Sequence, residues 1–272
     1  MDAFQAMVLG IVQGLTEFLP ISSTAHLRMI PAFAGWKDPG AAFTAVVQLG
    51  TMAAVLLYFR QDLWNITRAT VRSLRDPAER QTVEARLGWG IVIGTAPIAV
   101  VGVLFKNKIE TDARQLTLIA IALIVMGIVL EIAERTGRKR RPIESLTVRD
   151  GVTIGFAQAL ALVPGVSRSG STISAGLFLG LERAAAARYS FLLSVPAVVL
   201  SGLFELRKIG DGGGAGAGAT ILATVLAFVV GYASIAWFLK YLTRHPVTLF
   251  VVYRVVLGVV LLILVATNTV NG

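Results

Sequence analysis

The chain has 272 residues, 55% hydrophobic and 15% charged, with a net charge of +9 and a mean hydropathy of +0.73. Soluble domains carry about 25% charged residues, so this composition excludes a water-soluble globule. The basic residues lie between long apolar runs, which fits the charged loops of a membrane protein and argues against nucleic acid as a partner.

The first apolar stretch, about 2–35, is interrupted at Leu19-Pro20-Ile21-Ser22-Ser23-Thr24 and carries Glu17, His26 and Arg28. Each half of it is too short to cross a bilayer core at 1.5 Å per residue. Backbone groups freed by the break are tolerated at membrane depth only inside protein or a wet cavity, so a re-entrant helix–loop–helix hairpin is expected. Met1-Asp2 opens with no basic leader or small-residue cleavage site, and no removable signal peptide is expected. Spanning helices follow at 41–59, 88–105 and 116–133, with a charged loop at 60–87. A second interrupted stretch, about 151–181, breaks at Pro164-Gly165-Val166-Ser167-Arg168-Ser169-Gly170-Ser171, and three more spans occupy 189–206, 219–240 and 247–267. The predicted fold class is therefore all-α integral membrane, with six spans and two re-entrant hairpins. Cysteine is absent, which removes disulfides and thiolate metal sites.

With the hairpins counted as non-crossing, sixteen of the 25 Lys and Arg fall on the side of loops 60–87, 134–150, 182–188 and 240–246. That side is expected to be cytoplasmic, which puts both termini, and the loop containing GDGGGAGAG at 210–218, outside. The poorer side holds Arg28, Lys37, Lys106, Lys108, Arg114, Arg207 and Lys208, while Arg168 and Arg254 lie within membrane segments.

The halves resemble each other. At an offset of 145, Gly10-Ile11-Val12-Gln13 aligns with Gly155-Phe156-Ala157-Gln158, and Ile21-Ser22-Ser23 with Val166-Ser167-Arg168. Ile91–Ala99 likewise matches Phe228–Ala236. A hairpin plus three spans is an odd number of crossings, so the repeats, about 1–134 and 150–268 of one 272-residue domain, are expected to be inverted. Interrupted segments at corresponding positions of such repeats point to a site near mid-membrane.

Ser22, Ser23 and Thr24 open a helix after Pro20. Hydroxyls there serve as ordinary N-caps, but a helix N-terminus also suits phosphate. His26 is one turn beyond Ser23, placed to reach the serine hydroxyl or a leaving oxygen. Glu17, a carboxylate in an apolar stretch, is expected to bind a divalent cation or orient His26. In the second break, Arg168 offers a planar fork for phosphate oxygens. Ser167, Ser169 and Thr172 add hydroxyls, and Gly165 and Gly170 permit tight turns. A structural salt bridge between Arg168 and Glu17 is the alternative. Gln48 is a further polar residue within a span, and Arg254, beside Tyr253, needs a partner the sequence does not name. Together these residues suit phosphoryl transfer from a lipid headgroup. A secondary transporter is the competing reading, since inverted repeats and broken helices are also transporter features.

QGLTEFLPISSTAH at 13–26, VVQLGT at 46–51 and PGVSRSGSTIS at 164–174 closely resemble the undecaprenyl-diphosphate phosphatases, the bacitracin-resistance family, over essentially the whole chain. The resemblance implies hydrolysis of undecaprenyl diphosphate, a polyprenyl carrier of bacterial wall synthesis, at the outer face of the cytoplasmic membrane. It implies Mg²⁺ or Ca²⁺ as cofactor and an often dimeric protein. By the match, Glu17, Ser23, His26 and Arg168 correspond to catalytic positions, and Ser22, Thr24, Ser167 and Thr172 to the phosphate-contact region. Position 13 is Gln where many members carry Glu, which weakens a two-carboxylate metal site, and position 25 is Ala where Gly is frequent. The membrane lipid phosphatases that rely on two motif histidines do not fit a chain whose histidines are His26 and His245. Whether Ser23 or a metal-bound water attacks phosphorus stays open.

Overall fold

A computed structural model describes residues 1–105, 115–205 and 216–270. Lys106, Lys108, Arg114, Arg207 and Lys208 of the charge count, and most of the glycine-rich stretch 210–218, lie outside the described residues. The described residues form eleven α-helices and no strand. In chain order these are α1 (Ala3–Thr16), α2 (Ser23–Ala34), α3 (Gly40–Tyr58), α4 (Arg60–Arg72), α5 (Val83–Leu104) and α6 (Leu116–Thr136). Then follow α7 (Val148–Ala159), α8 (Arg168–Phe178), α9 (Arg183–Glu205), α10 (Ala217–Leu242) and α11 (Thr248–Ala266).

Five helices, α5, α6, α9, α10 and α11, are long and apolar enough to cross a membrane, and α3 makes a sixth if the bent pair α3–α4 counts as one span. On α6, Leu116, Ile119, Leu123 and Leu130 are buried, yet Ile121, Val125, Ile128 and Ile132 on the other side are exposed. A helix apolar all round needs an apolar solvent on its outer face. α5 begins five residues before the expected span because Thr82 caps it, accepting from the Ala85 N–H at 3.3 Å.

The expected loop 60–87 is largely helix. The chain turns by 79° after Tyr58 into α4. Ile66 of α4 is buried, Trp89 Nε1 donates to Ser73 Oγ at 2.9 Å, and Asp62 pairs with Arg188 at 2.8 Å. The neighbouring segment 137–147 is also pinned. Arg140 and Arg141 N–H groups both donate to the Gly180 carbonyl at 3.0 Å, and Arg183 clasps buried Glu134 through Nε and Nη2.

Two interrupted pairs, α1–α2 and α7–α8, sit at the breaks read from the sequence. α1 packs against α10, α7 against α5, and α6 against α11. Glycines allow the first two approaches. A Cβ on Gly10 would lie 2.5 Å from the Ala223 carbonyl oxygen, and one on Gly155 would lie 2.2 Å from that of Gly94. Without water to drive apolar helices together, such close backbone contact is a main source of cohesion in a bilayer.

Candidate active site

Both breaks end in the same local geometry. Ser22 (φ 71°, ψ 92°) and Ser167 (φ 71°, ψ 119°) adopt positive φ, which non-glycine residues rarely do. Each caps the helix it precedes: Ser22 Oγ accepts from Ala25 N–H at 3.4 Å, and Ser167 Oγ from Gly170 N–H at 3.1 Å. Such backbone costs about 1–3 kcal/mol per residue and persists only where its surroundings enforce it.

The enforcing group is Arg254 of α11, whose side chain is fully buried. Its Nη1 donates to the Pro20 carbonyl at 2.9 Å, and its Nη2 to those of Gly165 (2.9 Å) and Val166 (3.0 Å). Nε reaches Leu123 at 3.2 Å. The partner missing from the sequence is thus a set of backbone carbonyls, and one guanidinium ties the two breaks together. Gly170 leaves room for it, since a Cβ there would lie 2.6 Å from Arg254 Nη1.

Side by side, the breaks form one cluster. Ser23 Oγ donates to Glu17 Oε2 at 2.5 Å, and Gln13 Nε2 donates to the same oxygen at 2.8 Å. Arg168 Nη2 pairs with Glu17 Oε1. Glu17 and Arg168 side chains are 7% and 17% exposed, buried enough for the pair to be little screened. The salt bridge considered as the alternative is therefore present, and it lies at the edge of a cavity instead of within packed protein.

That cavity has a volume of about 640 Å³. Glu17, Ser22, Ser23, Thr24, Gln48, Ser167 and Arg168 line its polar end. Ile98 and Val103 of α5, Leu162, and Leu200 of α9 line the rest. Val103 and Leu200 are well exposed, so the apolar end of the cavity is open and not sealed within the protein.

The other candidates stand behind this wall. Ser169 Oγ donates to the Leu19 carbonyl at 2.9 Å and bridges the two breaks. Thr172 Oγ1 bonds the Arg168 carbonyl at 2.6 Å and Ser190 Oγ at 2.5 Å. With buried Gly170, these residues shape the loop without lining the cavity. His26 is likewise outside the lining. Its Nδ1 lies 2.8 Å from the Ser22 carbonyl and its Nε2 2.7 Å from Tyr253 Oη. The hydrogen bond foreseen between His26 and Ser23 is not formed; the serine turns to Glu17.

For a metal, no group of three or more His, Asp or Glu occurs among the described residues. The donors at hand are hard oxygens: the Glu17 carboxylate, the Ser23 hydroxyl and the Oε1 of Gln13. That last atom is buried with no hydrogen-bond partner. An orphaned carbonyl oxygen on the residue whose Nε2 bonds the Glu17 carboxylate adds a hard donor of the kind Mg²⁺ or Ca²⁺ takes.

Residues 6–260 match the model of a protein family described as bacitracin resistance protein BacA. An undecaprenyl-diphosphatase from Nocardioides sp. (strain ATCC BAA-499 / JS614) is 54% identical over 270 residues, 99% of this chain and 98% of that protein. One from Mycobacterium sp. (strain KMS) is 55% identical over 274 residues, covering 99% of each. One from Thermobifida fusca (strain YX) is 51% identical over 266 residues, 98% of this chain and 91% of its own.

Proposed function

The chain belongs to the bacitracin resistance protein BacA family, and we propose that it hydrolyses undecaprenyl diphosphate to undecaprenyl phosphate and inorganic phosphate. The observation that carries this reading is one cavity with a Ser23–Glu17–Arg168 cluster at one end and an apolar wall, open at Val103 and Leu200, at the other. A lipid with a diphosphate head has both halves of that chemistry.

In the proposed reaction Ser23 Oγ attacks the terminal phosphorus while Glu17 accepts its proton. The bond from that phosphorus to the bridging oxygen breaks, and undecaprenyl phosphate leaves. Water then hydrolyses the phosphoserine, releasing inorganic phosphate and restoring the hydroxyl. Among the described residues Arg168 bonds Glu17 through Nη2 alone. Its other N–H groups remain to hold the equatorial phosphate oxygens, where preorganised charge gains most. Ser22, Thr24 and Ser167 add hydroxyls at the same rim. A divalent cation, when bound, would neutralise phosphate charge. Glu17 and Gln13 are the residues proposed to hold it.

Further readings rest on the same frame. Matching Ser22 and Ser167 turns, and the exchanged packing of α1 on α10 and α7 on α5, support two inverted repeats, with α1–α2 and α7–α8 as re-entrant hairpins. The charge count supports a cytoplasmic 60–87 and 134–150, termini outside, and a site opening to the extracytoplasmic face of a bacterial cell membrane. Recycling the carrier there would support wall synthesis and confer bacitracin resistance. A homodimer is proposed from the resemblance alone. A reporter active only in the cytoplasm should be silent at the C-terminus and active within 134–150; the reverse would overturn this orientation.

The direct test is phosphate release from undecaprenyl diphosphate by the purified protein in detergent. Release is expected. A protein that binds the lipid without releasing phosphate would favour the transporter.

A further inference from the structure

His26 and Tyr253, 227 residues apart, form the best-defined contact around the site that the reaction above does not use. We infer that Tyr253 is a positioning residue for that reaction, acting through His26 to fix the peptide that carries Ser23. The inference rests on the phosphatase reading.

The Ser22 carbonyl can only accept, so the His26 Nδ1 that lies 2.8 Å from it carries the proton. A neutral ring then has Nε2 as an acceptor, and Tyr253 donates its hydroxyl to it at 2.7 Å. The Ser22 carbonyl thereby sets the tautomer, Tyr253 occupies the second nitrogen, and the parallel rings, 5.7 Å between centroids and 6° between planes, set the orientation. With both nitrogens engaged, the imidazole has no free lone pair for the Ser23 proton.

What the ring does hold is the carbonyl of a residue with positive φ. The Ser22 carbonyl belongs to the peptide that leads into Ser23, and rotation of that plane would carry Ser23 Oγ away from Glu17. It receives two hydrogen bonds from one residue, His26 Nδ1 and, at 3.3 Å, His26 N–H. The other break has no such brace. The Ser167 carbonyl is held by the Ser171 N–H at 2.9 Å, and the Ser171 hydroxyl turns to Arg168. The extra support is found only at the break that presents Ser23. Misplacing a reacting atom by about 1 Å costs on the order of 10²-fold in rate, so loosening this peptide shows in kcat.

Tyr253 is 44% exposed, so removing its hydroxyl spares the packing. The test compares wild type, Tyr253→Phe, His26→Gln and His26→Ala for phosphate release from undecaprenyl diphosphate, with melting temperature as the folding control. Tyr253→Phe should lower kcat about tenfold with little change in KM. His26→Gln, whose amide can still donate to the Ser22 carbonyl, should exceed His26→Ala in kcat. Tyr253→Phe should have little further effect in the His26→Gln background. Active wild type with Tyr253→Phe at full kcat, or His26→Gln no faster than His26→Ala, would overturn this inference alone. A wild-type protein releasing no phosphate would instead fail the phosphatase reading beneath it.

Discussion

Glu17 and Arg168, 151 residues apart, meet as a buried ion pair at the rim of the cavity, and Ser23 donates its hydroxyl proton to that same carboxylate. One carboxylate thus touches the hydroxyl, the guanidinium and the Gln13 amide at once. Removing either member of a buried pair strands the other at a cost of about 3–5 kcal/mol, so kinetics of variants here need a stability measurement beside them.

Ser23→Ala should lose about 10³-fold or more in kcat, since no other hydroxyl is hydrogen-bonded to the Glu17 carboxylate among the described residues. Glu17→Gln should lose about 10²–10⁴-fold, the range for a proton acceptor. Arg168→Lys keeps the charge but not the fork and should also fail, by about 10²-fold. Single-turnover kinetics on folded variants check all three. Ser23→Ala with a tenth of wild-type kcat would transfer the attack to water.

Chelation probes the cation. EDTA should abolish turnover and Mg²⁺ or Ca²⁺ should restore it. Gln13→Glu, which replaces an orphaned amide oxygen with a second carboxylate, should lower the metal concentration needed for half-maximal rate. Full activity in thoroughly chelated protein would remove the metal from the reaction.

At the charged end, Asp150 supplies a pH-dependent brace. Burial alone would raise its carboxyl, but hydrogen bonds from Arg141 (2.7 Å) and from Thr147 N–H (3.0 Å) and hydroxyl (2.9 Å) outweigh it and hold the carboxyl below the usual range. A depressed folded-state pKa gives stability that is complete above the unfolded value, about 3.9, and is lost as pH falls through the folded one. Asp150→Asn should lower the melting temperature at pH 7 and flatten its decline below about pH 4. Parallel melting curves for the two proteins across that range would refute the assignment.

Much of the fold is legible because a bilayer imposes its own length scale. Runs of about twenty apolar residues mark the spans, and Pro20 and Pro164 mark the breaks. The turn into α4 is not legible, since it depends on Asp62 meeting Arg188 and on Trp89 meeting Ser73, contacts with no periodic signature. Within the site, Glu17, Ser23 and Arg168 stand out as polar residues in apolar surroundings, and the structure brings them together. Arg254 stood out equally, but backbone carbonyls, its partners, are invisible in sequence. Helical spacing put His26 near Ser23; it could not show that a tyrosine 227 residues away takes the other nitrogen.

The central claim is a reaction at the terminal phosphorus of a lipid diphosphate, and the most direct measurement is the product balance. Purified protein should convert undecaprenyl diphosphate to undecaprenyl monophosphate and inorganic phosphate in equal amounts, by mass spectrometry of the lipid and phosphate assay of the aqueous phase, and Ser23→Ala should yield neither. Release of undecaprenol with diphosphate, or intact lipid after prolonged incubation with folded wild-type protein, would contradict it.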